Sequence, residues 1–323
     1  MSYPISGSPW SGSAPNPAYS GTFIPEIWSG KLLEKFYDAT VLAAISNTDY
    51  EGEIKNQGDK VIIRQRPAIT IRSYEAEQSL TVERPAKAVV ELLIDKGLYW
   101  NTVLDDVMEV QSDIDQMSLW AEDASEQLKI SVDNAVLRTL YAGIAAANKG
   151  NTAGRISGNV ALGVTSTPVV VVPRAPGSGE VEVVDLITRF GQVLDEQNAP
   201  QSGRYLVIPA WMAAMIKRSE LRDASLTGDG VSMLRNGRLG MIDRFELYVS
   251  NLLPAGVADS LAAGEFEVFA GVKKGLTFAS QLVKMETLRA ESTFGTLMRG
   301  LKVYGSKVVD GTLLTAGVVK AGS

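Results

Sequence analysis

The chain has 323 residues, with 31 Lys or Arg against 37 Asp or Glu, a formal charge of −6 at pH 7. At 45% hydrophobic and 21% charged it is globular in composition, and long enough to bury about three quarters of its surface without a metal or disulfide. It contains no Cys and no His, which removes thiolate nucleophiles, thiolate metal sites, the commonest general base and the usual triad partner. The acidic balance argues against a protein whose task is to grip nucleic-acid phosphates. The same two absences predict that neither oxidation nor a proton step near pH 6.5 acts on the chain directly.

Residues 1–25 carry no charge and lack the basic start and apolar run of a secretory signal. The other long uncharged stretch, Ile156 to Pro173, is broken by Gly158, Gly163 and Pro168 and does not read as a membrane span. The expectation is a soluble chain made in a cytosol. The first twenty residues are rich in Ser, Pro and Gly, with Trp10 and Tyr19 as isolated aromatics. Two readings stay open there: a solvated tail, or an arm whose aromatics anchor on a neighbouring surface.

Structure is expected to start at Ile24-Pro25, since proline suits the first position of a helix. Ile27, Leu32, Phe36 and Ala39 then follow at helical spacing. From Gly58 the period changes. Lys60–Tyr74, Leu80–Glu83 and Ala88–Ile94 alternate as strands around a polar tip, Glu75-Ala76-Glu77-Gln78, which predicts a long β-hairpin. Arg64, Arg66, Arg72, Glu75, Glu77, Glu83, Arg84 and Lys87 charge it with both signs, and Pro67 and Pro85 sit inside its arms. A two-stranded ribbon is marginal alone in water, so this one lies on its own protein or on a copy of itself.

The strongest helix follows, from a capping-box-like Ser112-Asp113-Ile114-Asp115 to a stop at Lys149-Gly150. Its apolar stripe is Met117, Trp120, Ala121, Ala124, Leu128, Val132, Ala135, Thr139 and Leu140. At 1.5 Å per residue it is a rod of about 50 Å, a spine across the molecule. Residues 150–180 read as a loop or crossover, and Val181–Asn198 as a helix. Arg204–Pro209 is a short buried strand, Ala210–Arg218 a helix and Ser225–Asn236 a polar loop. Strands are predicted at Phe245–Ser250, Glu265–Ala270, Leu276–Glu286 and Leu297–Val309.

No constellation for chemistry emerges. Gly295 and Gly300 have phosphate-loop spacing, but Leu301-Lys302 follows them where Lys-Thr or Lys-Ser is needed. Asp105-Asp106 and Asp113-x-Asp115 are carboxylate pairs of a kind Mg²⁺ accepts, yet short acidic pairs ordinarily cap helices or face solvent. No catalytic residue, cofactor site or metal site is predicted.

The ordering of arm, charged hairpin, spine helix, mixed domain and returning strands resembles the major capsid proteins of tailed double-stranded DNA bacteriophages, of the Hong Kong 97-type fold. The most specific segments are Phe23 to Arg64, Asn236 to Pro254 (NGRLGMIDRFELYVSNLLP) and Phe269 to Val309 (FAGVKKGLTFASQLVKMETLRAESTFGTLMRGLKVYGSKVV). One departure is Asp243-Arg244, where many relatives have Gly before the equivalent of Phe245; it puts the turn into that strand in question. The resemblance implies an α+β fold in six parts. These are an N-terminal arm (1–23), an N-terminal helix region (24–49), an extended E-loop hairpin (50–98), a peripheral domain (99–179) holding the spine helix at about 112–149, an axial domain (180–262), and peripheral-domain strands with the C-terminus (263–323).

It further implies self-assembly into hexameric and pentameric capsomers of an icosahedral head, in the host cytoplasm. A scaffolding protein, a portal and a decoration protein would be partners, and double-stranded DNA would be packaged without sequence-specific contacts. No membrane or cofactor is implied. Trp10, Tyr19, Arg66, Arg72, Glu75, Glu77, Glu83 and Arg84 are the expected inter-subunit contacts, with opposite charges pairing between copies. Three other readings stand beside this one: an encapsulin-type compartment of the same fold, a self-associating tail or decoration component, and an enzyme using Asp or Glu in the mixed domain.

Overall fold

A computed structural model describes residues 40–49, 60–64, 69–84, 89–106, 116–219, 240–290 and 294–322. The expected arm with Trp10 and Tyr19, the helix after Pro25, Arg66, the cap at Ser112 and the loop at 225–236 lie outside the described residues. The described elements begin with a single helical turn, α1 (Leu42–Ile45). Strands β1 (Lys60–Arg64), β2 (Val89–Leu93) and β3 (Lys96–Asp105) follow. The spine helix α2 is Gln116–Gly143. Next come β4 (Val169–Val172), β5 (Glu180–Glu182), α3 (Val183–Glu196), β6 (Arg204–Ile208) and α4 (Ala210–Arg218). The chain continues through β7 (Met241–Ile242), β8 (Phe245–Val249), β9 (Glu265–Val272), β10 (Leu276–Arg289), β11 (Gly295–Val308) and β12 (Leu314–Ala321).

Three sheets organise these strands: β1-β2, the antiparallel β10-β11-β3, and a mixed seven-stranded sheet in the order β5-β4-β12-β9-β6-β8-β7. The segment 263–323, expected as one set of peripheral strands, divides between two of them. β10 and β11 join β3, whereas β9 and β12 sit in the middle of the seven-stranded sheet, with β9 hydrogen-bonded to β6. Burial explains the division, because Val268, Phe269, Ala270, Ala316, Val318 and Val319 are apolar on both faces of their strands and need cover on both.

β6 shows the same logic. All five of its residues are buried. Leu206 and Ile208 face a core shared with α3 and α4, and Tyr205 and Val207 face a second core shared with the spine helix. Helix α3 supplies the first core with Val183, Leu186, Ile187, Phe190 and Leu194, a stripe at helical spacing. Each such side chain contributes about 1.5–3 kcal/mol on burial.

The spine helix departs from expectation at two points. It stops at Gly143 rather than running to Lys149-Gly150. There the Ala145 amide donates to the Gly311 carbonyl (3.1 Å), and Lys149 pairs with Ala316 beside β12. Tertiary pairing outcompetes the helical pattern. Its stripe is also shorter than predicted: Val132, Val136, Leu137 and Leu140 are buried and Thr139 is exposed, while residues 117–130 are at most half-buried.

In the second core the Tyr205 hydroxyl is buried with no hydrogen-bond partner among the described residues, and burial drives its pKa far upward. An unmade buried hydrogen bond is a net cost. Tyr205→Phe is therefore expected to stabilise the fold by about 1 kcal/mol, read as a higher urea midpoint at unchanged slope. A lower midpoint would mean that the hydroxyl has a partner after all.

Candidate assembly surfaces

The hairpin is built on one register. Lys60 stands opposite Leu93 and Arg64 opposite Val89. Carried outward, the same register puts Thr70 opposite Glu83 and Glu75 opposite Gln78, and both pairs are bonded. Thr70 N and Oγ1 donate to the Glu83 carboxylate (3.4 and 3.3 Å), and Gln78 N donates to the Glu75 carbonyl (3.2 Å). Glu77 at the tip has φ 67°, the left-handed position that a type II turn requires at its third residue. Among the described residues, regular strand pairing in the hairpin covers Lys60–Arg64 and Val89–Leu93, and residues 69–84 form no continuous ladder.

Strand alternation sorts the hairpin into two faces. At the base, Ile63 and Leu92 pack with Ala279, while Val61, Val90, Val303 and Val309 pad the cluster. Farther out, the register continues that face through Ile69, Ile71, Leu80 and Val82. These four are 67%, 89%, 76% and 86% exposed. The opposite face carries Thr70, Arg72, Tyr74 and Glu83. Of the expected contact residues, Arg72, Glu75, Glu77, Glu83 and Arg84 are all exposed on this hairpin. Glu83 is engaged within it by Thr70. The alternation at Ile69 and Ile71 and at Leu80–Glu83 is legible in the sequence, but the contacts expected on the hairpin were drawn from its charges alone.

The three-stranded sheet offers a second bare surface. One face carries Leu98, Phe278 and Tyr304 against the spine helix. On the other, the hairpin base packs over Ala279, Val303 and Val309 and lies against Gly305. Beyond that, cross-strand rows join Tyr99 to Leu301 to Lys284, Asn101 to Arg299 to Glu286, and Val103 to Leu297 to Leu288. Tyr99 is 79% exposed, and Val103, Leu288 and Leu301 are also open to solvent. A cavity of about 430 Å³ opens among Tyr99, Trp100, Arg299 and Leu301. Arg299 forks onto Glu286 (3.0 and 2.7 Å), which Lys284 also pairs, and the two cations lower the Glu286 pKa.

Buried charge fixes the scaffold behind these surfaces. The Asp133 carboxylate on the spine helix accepts the amides of Val41 (2.6 Å) and Leu42 (3.3 Å), the open end of α1. Burial raises its pKa, against the pull of the two amides and of Lys302. Fully buried Arg204 donates to Asp195 (2.7 Å) and to the carbonyls of Pro200 and Ala199 (2.8 and 3.0 Å). Arg244 grips the other Asp195 oxygen at 2.8 Å. Burial pushes the Asp195 pKa up, but the hydrogen bonds from Arg244 and Arg204 outweigh it and the pKa falls. The same pair settles the turn at Asp243-Arg244. With φ of 44° and 65°, these residues form a two-residue hairpin loop between β7 and β8. The ion pair to Asp195 holds Arg244 where glycine would sit without strain.

The candidate chemistry dissolves into structure. Gly295 and Gly300 lie in β11 against the Leu104 carbonyl and the Trp100 indole, not in a phosphate loop. Asp106 is forked onto Arg289, and Asp113 and Asp115 lie outside the described residues. Glu196 accepts the amides of Ile156 (2.8 Å) and Ser157 (3.0 Å), which hold it at about 2. A chain without His still holds a carboxyl whose pKa is raised toward neutrality. Burial, then the neighbouring Asp259, push Glu267 up to about 7, against Lys149.

The element order and sheet topology are those of the Hong Kong 97-type capsid fold. A solved chain from Mycobacterium phage Che8 is 26% identical, with 92% of this chain and 97% of that one covered at a TM-score of 0.72. The capsid of cyanophage P-SCSP1u (18% identical, 94% and 96% covered, TM-score 0.67) shares the fold. So does the mature capsid of bacteriophage PhiM1 (14%, 97% and 98%, 0.66). No curated protein sequence matches the chain. Residues 101–321 match the family described as phage capsid protein, and the chain belongs to that family of structural proteins.

Removing the Asp133 anchor tests how α1 is held. Asp133→Ala is expected to cost about 2–4 kcal/mol, since two amides lose a charged acceptor in a buried site. Amide exchange at Val41 and Leu42 should rise by more than the global loss accounts for. Equal acceleration everywhere would show that the carboxylate does not anchor α1.

Proposed function

We propose that this chain is the major capsid protein of a tailed bacteriophage, assembling into hexamers and pentamers of an icosahedral head that encloses double-stranded DNA. In this reading residues 50–98 are the E-loop, the spine helix belongs to the peripheral domain, and residues 180–262 contribute to an axial domain at the capsomer centre. The observation that carries it is the overhanging hairpin, whose apolar strip continues the face that docks at its own base and then has nothing beneath it among the described residues. A second copy supplies a matching surface in the bare outer face of the three-stranded sheet, with Tyr99, Val103, Leu288 and Leu301. Heterologous contact of this kind, a protrusion of one copy on a different face of the next, closes into rings.

Magnitudes rank the contributions. Covering Ile69, Ile71, Leu80 and Val82 is worth about 1.5–3 kcal/mol each before ordering costs. An exposed ion pair through Arg72, Glu75, Glu77 or Arg84 is worth about 0–1 kcal/mol. The apolar strip therefore sets the strength of association, while the charges, with Trp10, Tyr19 and Arg66, tune partner and register. The net charge of −6 suits a container whose wall does not bind packaged DNA by its phosphates. Scaffolding, portal and decoration proteins complete the expected partners, with assembly in the host cytoplasm and final residence in the virion.

The test separates strip from charge. The double variant Ile71→Ser, Val82→Ser removes side chains that are almost wholly exposed in the single chain, so folding should be unchanged by circular dichroism. It should leave capsomers or monomers by sedimentation velocity and electron microscopy, under conditions where the unaltered chain forms closed shells. Glu75→Gln with Glu77→Gln should still give shells. Shells from the serine variant would overturn the strip, and tubes or solitary monomers from the unaltered chain would overturn the capsid reading.

A further inference from the structure

β10 is an outer strand of the three-stranded sheet, with β11 on one side. Near its start the other side is taken by Asn47, whose amide donates to the Leu276 carbonyl (2.8 Å) and whose carbonyl accepts the Phe278 amide (3.0 Å). Past the register shift between Ser280 and Leu282, no described strand pairs with that side. The Ala290 amide donates to the Gly295 carbonyl at 2.9 Å, which continues the ladder and marks the even-numbered residues here as those bonded to β11. Antiparallel alternation therefore turns the N–H and C=O of Val283, Met285 and Thr287 toward the open edge. Lys284, Met285, Thr287, Leu288 and Arg289 are all exposed, Met285 at 53%. Lys284 and Glu286 flank Met285 and share the outer face of the sheet, in rows with Leu301 and Arg299. A long open edge is a template for a strand of another chain.

We propose that two copies of the chain join along this edge, β10 against β10, antiparallel about a twofold axis at Met285. That register sets Met285 opposite its own copy and Thr287 opposite Val283, and all of these carry outward backbone groups that can exchange hydrogen bonds. It also sets Lys284 of each copy opposite Glu286 of the partner subunit, at the positions where facing side chains lie closest. Moving the axis one residue brings Lys284 against Lys284 or Glu286 against Glu286, which is destabilising. Moving it half a residue brings outward backbone groups against groups already bonded to β11. The alternating charges thus select one register and reject its neighbours. Arg299 holds the Glu286 carboxylate by two bonds (3.0 and 2.7 Å), so the acceptor is already positioned. This contact is isologous, whereas the hairpin contact is heterologous. A ring closed by hairpins needs a second kind of contact to reach the next ring, and this edge supplies one; the pairing itself stands without the capsid reading.

The chain has no Cys, so a single introduced thiol reports one position. Concentrated full-length Met285→Cys under mild oxidation should give a disulfide-linked dimer. Facing residues of a hydrogen-bonded pair have Cα atoms about 5.5 Å apart, within a disulfide's reach. Thr287→Cys should give about tenfold less, because its two copies lie about 13 Å apart along the strands. Adding Lys284→Glu to Met285→Cys should cut the dimer several-fold by facing like charges. No dimer from Met285→Cys, equal cross-linking by Thr287→Cys, or indifference to Lys284→Glu would each overturn the pairing. Circular dichroism checks that the variants fold. Should Met285→Cys not fold, Lys284→Glu alone gives a second reading by sedimentation velocity, where association as strong as that of the unaltered chain refutes the proposal. Cross-linked dimers without closed shells would overturn the capsid reading and leave this one, and shells without the dimer would do the reverse.

Discussion

Where the hairpin crosses the three-stranded sheet, the backbones come too close for a side chain at Gly305, and much of the architecture depends on that crossing. Ala279 and Gly305 stand opposite each other on β10 and β11, and a Cβ on Gly305 would overlap the Leu93 carbonyl oxygen. A register shift between Ser280 and Leu282 follows at once, and such bulges sharpen the local twist. Five positions along, Gly300 makes the same allowance for the Trp100 indole. β11 thus holds β10 and β3 by hydrogen bonds, the hairpin base by contact on one face, and the spine helix on the other. The direction in which the hairpin leaves the molecule is set there. Residues 69–84, farther out along the hairpin, are exposed throughout.

One face of the hairpin changes its role along its length. At the base, Ile63 and Leu92 belong to the chain's own core. Farther out the same face carries the exposed apolar side chains Ile69, Ile71, Leu80 and Val82, with no core beneath them among the described residues. The charged residues that dominate its composition contribute little energy each, because solvent screens them. Their arrangement matters for geometry instead: the bonds between Thr70 and Glu83 and across the tip keep the arms in step without a full ladder.

The sequence was most informative where one period ran uninterrupted. Ala210–Arg218, Val183–Glu196 and Arg204–Ile208 fall within a residue or two of their predicted limits, because apolar spacing there agrees with tertiary burial. It was silent where pairing partners are remote. Val169–Val172 sat in a stretch rich in Gly, Ser and Pro and read as loop, yet it is a buried strand beside β12. Lys96–Asp105 alternates mostly as half-exposed against exposed, with Leu104 alone buried among its residues, too weak a contrast to stand out. Asp133 carried no local signal, since the amides it accepts, Val41 and Leu42, lie far along the chain. Asp243-Arg244 looked like a defect until Asp195 was seen to compensate it.

The position of β12 has a kinetic consequence. It lies between β4 and β9, parallel to one and antiparallel to the other, so the β5-β4 pair joins the rest of its sheet only through a strand translated after all the others. A nascent polypeptide still threaded through the ribosome before residue 314 holds two unjoined sheet fragments. Closing this sheet accordingly waits on a contact between strands far apart in sequence, of the kind that forms slowly.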